Sequence, residues 1–301
     1  MKKISSVLVV ISMILVTFST IALSVPAKDL NSNISSETTS YNDVERWAVI
    51  IGTDDQAYCD HDADDMYNAL RNNGWESSHI KKYTRSSADK SSILSAISWL
   101  RSSEDYNDIV LFFFSGHGNK RIIAGYYGSI ITLAELQLAF SGFGSSKMVL
   151  IFDTCFAGSL DPDGKYIPVL TTDEDDDSEY KGVFDGLAER GRIIIASCKR
   201  TETSWGFKDL NNGVFTYYFS KGFETNDDNN DGWVSAEEAF SYAYPRTVDY
   251  TENYPDDDVT VQHPQIYDGV FGEVKITNLY GNSDNSKISI IQRFINVFKL
   301  L

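Results

Sequence analysis

The sequence predicts a three-layer α/β domain with a mainly parallel central sheet. Apolar runs of strand length alternate along the chain with segments of helical periodicity, which is the pattern of βαβ units. Two of these runs, Ile109–Phe114 and Met148–Phe152, are apolar at every position, as in strands that are covered on both faces. Hydrophobic residues make up 42% of the 301 residues, which is enough to build a core of that size.

Strands and helices alternate from residue 46 onward. The predicted strands are Trp47–Ile51, Ile80–Tyr83, Ile109–Phe114, Met148–Phe152 and Arg192–Ala196. The predicted helices, with apolar residues every three or four positions, are Ala63–Asn72, Ala88–Leu100, Leu133–Phe140 and Val214–Phe223. A hairpin is expected at Ile122–Tyr127. We therefore expect one domain, residues 46–276.

The first 28 residues have the pattern of an export signal. Lys2 and Lys3 precede an apolar run, Val7–Leu23, and small residues follow it as a cleavage region. Residues 29–45 are polar and predict a flexible leader. The protein is therefore expected to be secreted or extracellular. The alternative is an uncleaved signal anchor attached to a membrane, because the run approaches the roughly 20 residues that a span requires.

The charge balance excludes one class of partner. The chain has 43 acidic and 26 basic residues, a formal net charge of −17. Such a surface repels phosphate backbones, so nucleic acid is not expected to bind, whereas cations and basic peptides are.

Two segments differ from the core in composition. The acidic residues at 173–179 predict a solvated linker, a second and looser calcium site, or an activation segment cut at Lys165 or Lys181. Residues 277–301 predict a linker and a short basic amphipathic helix, which either contacts a membrane surface or covers an apolar groove of the domain.

Two reactive residues directly follow the two most apolar strands. His117 stands in Ser115-Gly116-His117-Gly118, and Cys155 follows Asp153-Thr154. If these strands are neighbours, both side chains lie at the ligand-binding edge of the sheet, about 4.8 Å apart from strand to strand. Either residue alone would be taken as the end of a buried strand. Together, in a chain with four histidines and three cysteines, they indicate a nucleophile and its general base.

These two motifs resemble the dyad signature of the caspase-like cysteine peptidases of clan CD, which include caspases, metacaspases, legumains and clostripain-like enzymes. The resemblance covers Trp47–Gly222. It implies a caspase-like sandwich that hydrolyses peptide bonds in protein or peptide substrates, with no organic cofactor. It also implies that Cys155 is the nucleophile, that His117 is the base and acid, and that the amides of Gly118 and Cys155 form the oxyanion hole.

The resemblance also implies a substrate preference. Asp62, Ser115 and Asp153 look like the residues that line the acidic pocket of metacaspases, which cleave after Arg or Lys. Legumains have an arginine in the region where this chain has Asp60, and Glu202 departs from the metacaspase pattern, so both are further candidates for substrate binding. Capping of the first helix is an equal explanation for Asp60 and Asp62. The alternatives are a legumain-like asparaginyl endopeptidase or transpeptidase, and a catalytically silent, calcium-dependent surface-binding module.

The remaining cysteines, Cys59 and Cys198, fall near the same pocket in this interpretation. In an exported protein they either form a disulfide or remain two buried thiols, and their spacing does not decide between these.

Residues 227–238 have the ligand order of an EF-hand calcium loop. Oxygen-bearing groups stand at positions 1, 3, 5, 7, 9 and 12, with glycine at position 6 and helical patterns on both sides. The candidate ligands are Asp227, Asn229, Asp231, Trp233 through its carbonyl, Ser235 and Glu238. The sequence thus predicts a structural Ca²⁺. A turn without metal is the alternative.

Overall fold

The computed structural model describes residues 43–54, 57–119, 121–158 and 186–280. Within them the strands are β1 Arg46–Gly52, β2 Ile80–Thr84, β3 Ile109–Ser115, β4 Gly118–Asn119, β5 Ile122–Gly125, β6 Ser129–Thr132, β7 Met148–Asp153, β8 Arg192–Ala196, β9 Gly206–Phe207, β10 Asn212–Gly213, β11 Trp233–Ser235, β12 Gln265–Asp268 and β13 Lys275–Asn278. The α-helices are α1 Cys59–Asn72, α2 Lys90–Ser103, α3 Leu133–Ala139, α4 Val214–Thr225 and α5 Ala236–Glu252.

The central sheet has six strands in the order β12-β8-β7-β3-β1-β2. All neighbouring pairs are parallel except β12 with β8, which is antiparallel. The predicted fold class, a three-layer α/β sandwich with a mainly parallel sheet, is confirmed. The sequence did not predict β12, because this four-residue edge strand begins at Gln265 and ends at Asp268 and has little apolar pattern.

Helices cover both faces of the sheet. Along β1, Ala48 and Ile50 pack on the face that α1, α4 and α5 cover, whereas Val49 and Ile51 pack on the face that α2 and α3 cover. This alternation follows from the two-residue period of a strand. Because both faces are buried, β1, β3 and β7 need apolar residues at nearly every position, as their sequences have.

Two elements begin or end differently from the prediction. Helix α1 begins at Cys59, four residues before the expected start, after Tyr58 adopts a left-handed conformation at φ +63° without a side-chain cap. The expected hairpin is a three-stranded antiparallel sheet of β4, β5 and β6, in which Gly118 pairs with Ile123.

Several predicted features lie outside the described residues. These are the export signal at 1–28, most of the leader, the acidic segment at 173–179 with Lys165 and Lys181 on either side, and the tail from 281 onward. Among the residues that the structure does describe, no helix has both the length and the hydrophobicity that crossing a bilayer requires.

Candidate active site

Three neighbouring strands place three polar residues in one row. In the parallel register, Gly52 of β1 is opposite Ser115 of β3, and Ser115 is opposite Asp153 of β7. Asp54, His117 and Cys155 each come two residues beyond these strand ends. They therefore stand side by side at the carboxyl edge of the sheet, the edge where open α/β sheets bind ligands.

His117 and Cys155 line the same cavity, which has a volume of about 260 Å³. Asp62, Ser115 and Asp153 also line it, together with Ser204. The structure thus brings together the two residues predicted as the dyad and the three predicted as an acidic pocket.

A carboxylate holds the imidazole. His117 Nε2 lies 2.8 Å from Asp54 Oδ2, and 65% of the His117 side chain is exposed to solvent against 24% of Asp54. The carboxylate can accept from this nitrogen and so orient the ring. Sequence reasoning missed Asp54. The signal that could have found it is its offset, because Asp54 follows β1 at the distance by which His117 follows β3.

The Cys155 thiol is half-buried at the turn after β7. Burial raises its pKa, and the nearby Asp153 carboxylate adds to this, whereas a hydrogen bond with the Ser204 backbone lowers it. The thiol also lies 3.8 Å from the Ser204 carbonyl, to which it can donate. The thiol is therefore protonated at neutral pH and needs a base before it can attack. Phe156, the next residue, is held at φ +60°, and its amide donates to the Glu202 carbonyl at 2.9 Å. This contact fixes the turn that carries the sulfur.

Gly118 lies close to the chain that carries the nucleophile. A Cβ at Gly118 would come within 2.1 Å of Thr154 Oγ1, so only glycine fits at this distance. Thr154 lies between Asp153 and Cys155, and its buried Oγ1 has no hydrogen-bond partner in the described part of the chain. Gly118 is thus held beside the residue that precedes Cys155.

Asp62 and Asp153 form a buried acidic pair at the inner end of the cavity. Asp62 is 1% exposed and accepts hydrogen bonds from Ser115 Oγ at 2.6 Å and from the Gly213 amide at 2.8 Å. Asp153 accepts from Ser204 Oγ at 2.5 Å. Burial raises the pKa of both carboxyls, and the proximity of Asp153 raises that of Asp62 further.

The basic residue in the described lining of the cavity is His117, which is paired with Asp54. The lining includes no lysine and no arginine in the part of the chain that the structure describes. Two carboxylates without a cation make a site that favours a cationic side chain from outside.

The structure corrects the positions of two predicted pocket residues. Asp60 is not in the cavity lining, because its carboxylate is paired with the Arg85 guanidinium, with Nε at 2.9 Å. Glu202 also lies outside the lining and accepts from the ring of His263 at 2.8 Å. Both carboxylates have basic neighbours of their own in the fold, which sequence spacing does not show. The neighbours of Glu202 in the chain, Thr203 and Ser204, are the ones that reach the cavity.

The other two cysteines are free thiols. Cys59 lines the cavity at the start of α1, and Cys198 is fully buried after β8, where Sγ lies 3.3 Å from the Thr154 carbonyl. Burial raises the pKa of both thiols. Of the two alternatives for these cysteines, the structure has the unpaired thiols.

The loop at 227–238 has the turn of an EF-hand, but its carboxylates do not converge. Asp227 accepts from the amides of Asp231 and Gly232 at 3.0 and 2.9 Å, and Gly232 has φ +90°. Asp231 is paired with Lys275, and Glu238 forms a capping box with Ser235. Among the residues described, no three His, Cys, Asp or Glu side chains lie close enough to hold a metal ion. The predicted ligands are of the kind that calcium uses, and the three carboxylates among them do not form a cluster in the described structure.

Comparison with known proteins shows the family and the fold of this chain. The family model described as "Caspase domain" matches residues 45–268. The crystal structure of caspase-1 from Spodoptera frugiperda is similar in fold, with a TM-score of 0.54 and 13% sequence identity over 78% of this chain and 90% of that chain. No curated protein sequence matches the chain. The family match extends over most of the chain and includes both strands that carry the candidate dyad, so this protein belongs to the caspase-domain family of cysteine peptidases.

Proposed function

We propose that this protein is a cysteine endopeptidase in which Cys155 is the nucleophile and His117 is the general base and acid. One observation carries the proposal: His117 and Cys155 follow neighbouring parallel strands in register and line one cavity. Residues 1–28, with the pattern of an export signal, support action outside the cytoplasm.

The reaction follows from this arrangement. His117 takes the proton of the Cys155 thiol, and the sulfur attacks the carbonyl carbon of the scissile bond. The amides of Gly118 and Cys155 stabilise the oxyanion. The C–N bond breaks as His117 returns the proton to the leaving amine, which leaves a thioester on Cys155. Water then attacks the thioester, His117 accepts its proton, and the thiol is restored as the acid product leaves.

We also propose that the enzyme cleaves after Arg or Lys. The buried pair of Asp62 and Asp153 supports this preference, because the guanidinium or ammonium group of the substrate would supply a positive charge to the two carboxyls. Ser115, which donates to Asp62, lines the same cavity. The side chain on the acyl side of the bond would enter the cavity and place its carbonyl carbon at Cys155.

Replacement of the nucleophile tests the proposed reaction. In Cys155→Ala, peptide cleavage should fall to the uncatalysed background. The other thiol in the described cavity lining, Cys59, belongs to α1 and does not follow a strand next to β3, so it cannot replace the nucleophile. Cleavage sites in a mixed peptide library, identified by mass spectrometry, measure this. Cys59→Ala is the matched control, since it removes another thiol of the same cavity and should keep turnover. Activity retained in Cys155→Ala would overturn the mechanism.

Replacement of Asp54 tests whether it positions the imidazole. Asp54→Ala should lower kcat about tenfold to a hundredfold and change KM less than about twofold, because the carboxylate contacts the base and does not line the acidic cavity. Asp54→Asn, which retains an oxygen acceptor, should lose less. Asp64→Ala on the exposed side of α1 is the control. An effect on KM alone would show that Asp54 acts on substrate binding instead.

Neutralising the acidic pair should change specificity and stability together. Asp62→Asn should weaken the preference for Arg or Lys by at least about 30-fold in kcat/KM, the effect of removing one partner of a buried charge pair. It should also raise Tm at neutral pH by about 2–4 °C. Because burial raises the pKa of Asp62, its ionised form costs stability at pH values above that pKa. The gain in Asp62→Asn should therefore decline as the pH falls through the raised pKa and disappear below the ordinary pKa of an aspartate.

Matched substitutions separate this prediction from a general effect of lost charge. Asp153→Asn should behave like Asp62→Asn, whereas Asp64→Asn on the outside of α1 should change neither specificity nor the pH dependence of Tm. An unchanged preference for Arg or Lys in both pocket variants would show that another site selects the substrate.

We further propose that residues 227–238 bind a structural Ca²⁺. The order of oxygen ligands and the left-handed glycine at position 6 support this, and binding would require Asp231 to turn from Lys275 to the ion. The loop connects α4 and α5, which pack against the sheet, so bound calcium would stabilise the fold and take no part in the reaction.

Calcium titration of the full chain tests this site. At a calcium concentration of 100 times Kd, binding should stabilise the protein by about 2.7 kcal/mol and raise Tm. Glu238→Gln should remove the calcium-dependent rise and keep most of the basal Tm, since glutamine can also complete the capping box with Ser235. Glu237→Gln is the control. Equal calcium-dependent shifts in both variants would rule out the loop.

A further inference from the structure

A second cavity lies on the other side of His117. It has a volume of about 330 Å³ and shares only His117 with the lining of the acidic cavity. Its wall is formed by the segment that joins β5 to β6, with Tyr126 and Tyr127 as the large side chains. The imidazole therefore separates two cavities, one that contains Cys155 and one that does not.

The direction of the proposed reaction indicates which half of the substrate this second cavity would bind. In the cleavage step the imidazole gives its proton to the leaving amine, so the departing half of the substrate must lie on the imidazole side of the sulfur. The acyl half fills the acidic cavity. Relying on the proposed function, we propose that the second cavity binds the side chain of the residue that follows the scissile bond and that it favours aromatic and large aliphatic side chains.

The chemistry of the wall leads to this class of side chain. The rings of Tyr126 and Tyr127 have centroids 4.2 Å apart at an interplanar angle of 59°, so they offer two differently inclined aromatic surfaces. Gly128, the residue after the two tyrosines, has open space where a Cβ would stand, so no side chain closes this part of the cavity. The carboxylate in the lining, Asp54, is already bonded to His117.

The position of Tyr127 supports a role in binding. Tyr127 is 92% exposed, although a tyrosine gains free energy from burial. Its backbone is in the left-handed region at φ +56°, and Gly128 follows at φ +72°. A residue other than glycine in the left-handed backbone region costs about 1 kcal/mol or more, and such strain is found mainly at functional sites. The strained turn thus agrees with a binding role for Tyr127.

The turn that contains Tyr126 and Tyr127 is also fixed by hydrogen bonds to the start of α2. The Tyr126 amide donates to the Ala88 carbonyl at 2.8 Å, and Ser129 Oγ accepts from the Lys90 amide at 3.0 Å. These bonds fix the segment to the start of α2, so the wall exists before substrate arrives. A preformed wall binds a side chain without the entropy cost of ordering a loop.

The experiment uses peptides that are identical up to the cleaved bond and have Gly, Leu, Phe, Lys or Asp after it. With the full-length enzyme, kcat/KM for the Phe peptide should exceed that for the Gly peptide about fivefold, the size of an aromatic contact. In Tyr127→Asn this ratio should fall below about twofold. Asparagine suits this test because it tolerates the left-handed backbone. Phe271→Ala removes another exposed ring outside the second cavity and should leave the ratio unchanged.

The outcomes separate this inference from the proposed function. If no peptide is cleaved, the peptidase function itself fails, and the subsite fails with it. If peptides are cleaved with equal kcat/KM for Gly and Phe, or if the ratio persists in both Tyr127→Asn and Tyr126→Ala, the peptidase stands and the subsite is overturned. A preference for Lys or Asp after the bond would also overturn it. Loss of the Phe preference with an unchanged Arg or Lys preference before the bond supports it.

Discussion

The parallel register of β1, β3 and β7 is the constraint on which the candidate site depends. Each strand contributes a polar residue two positions after its end, and the register places Asp54, His117 and Cys155 in one row. A shift of one residue in either pairing would turn a buried strand over and move its reactive side chain to the wrong face. Apolar packing on both faces of the sheet holds the register, so the same hydrophobic residues that stabilise the domain also align the site.

The acidic pair shows how the site departs from what stability alone would favour. Two ionised carboxylates within one cavity repel each other, and both lose contact with water on burial. The hydrogen bonds from Ser115, Ser204 and nearby amides offset only part of this loss of solvation. The fold supplies these donors from β3, from the chain after β8 and from the start of α4. The pair is therefore supported by distant segments, which is consistent with the proposed binding of a cationic side chain.

The imidazole has a different environment on each side. Toward Cys155 it borders a narrow acidic cavity, and away from Cys155 it borders a second cavity with an aromatic wall. Asp54 holds the ring between them. The short sheet of β4, β5 and β6 directly follows His117 in the chain, so the proposed base and the wall of the second cavity belong to one continuous segment.

Much of this protein was determined by local sequence. Apolar runs and helical periodicity predicted the parallel sheet and the helices, and His117 and Cys155 were identified because each follows such a run. Asp62, Ser115 and Asp153 came from resemblance, and the structure brings them into one cavity. Asp54 was not predicted, and Asp60 and Glu202 were predicted to line the cavity but lie outside its lining. All three carboxylates contact basic partners that are 25 or more residues away in the sequence, and sequence spacing does not show such contacts. Hydrophobic periodicity indicates which face of a helix or strand a residue lies on. Only tertiary packing decides which charged group from a distant part of the sequence that residue contacts.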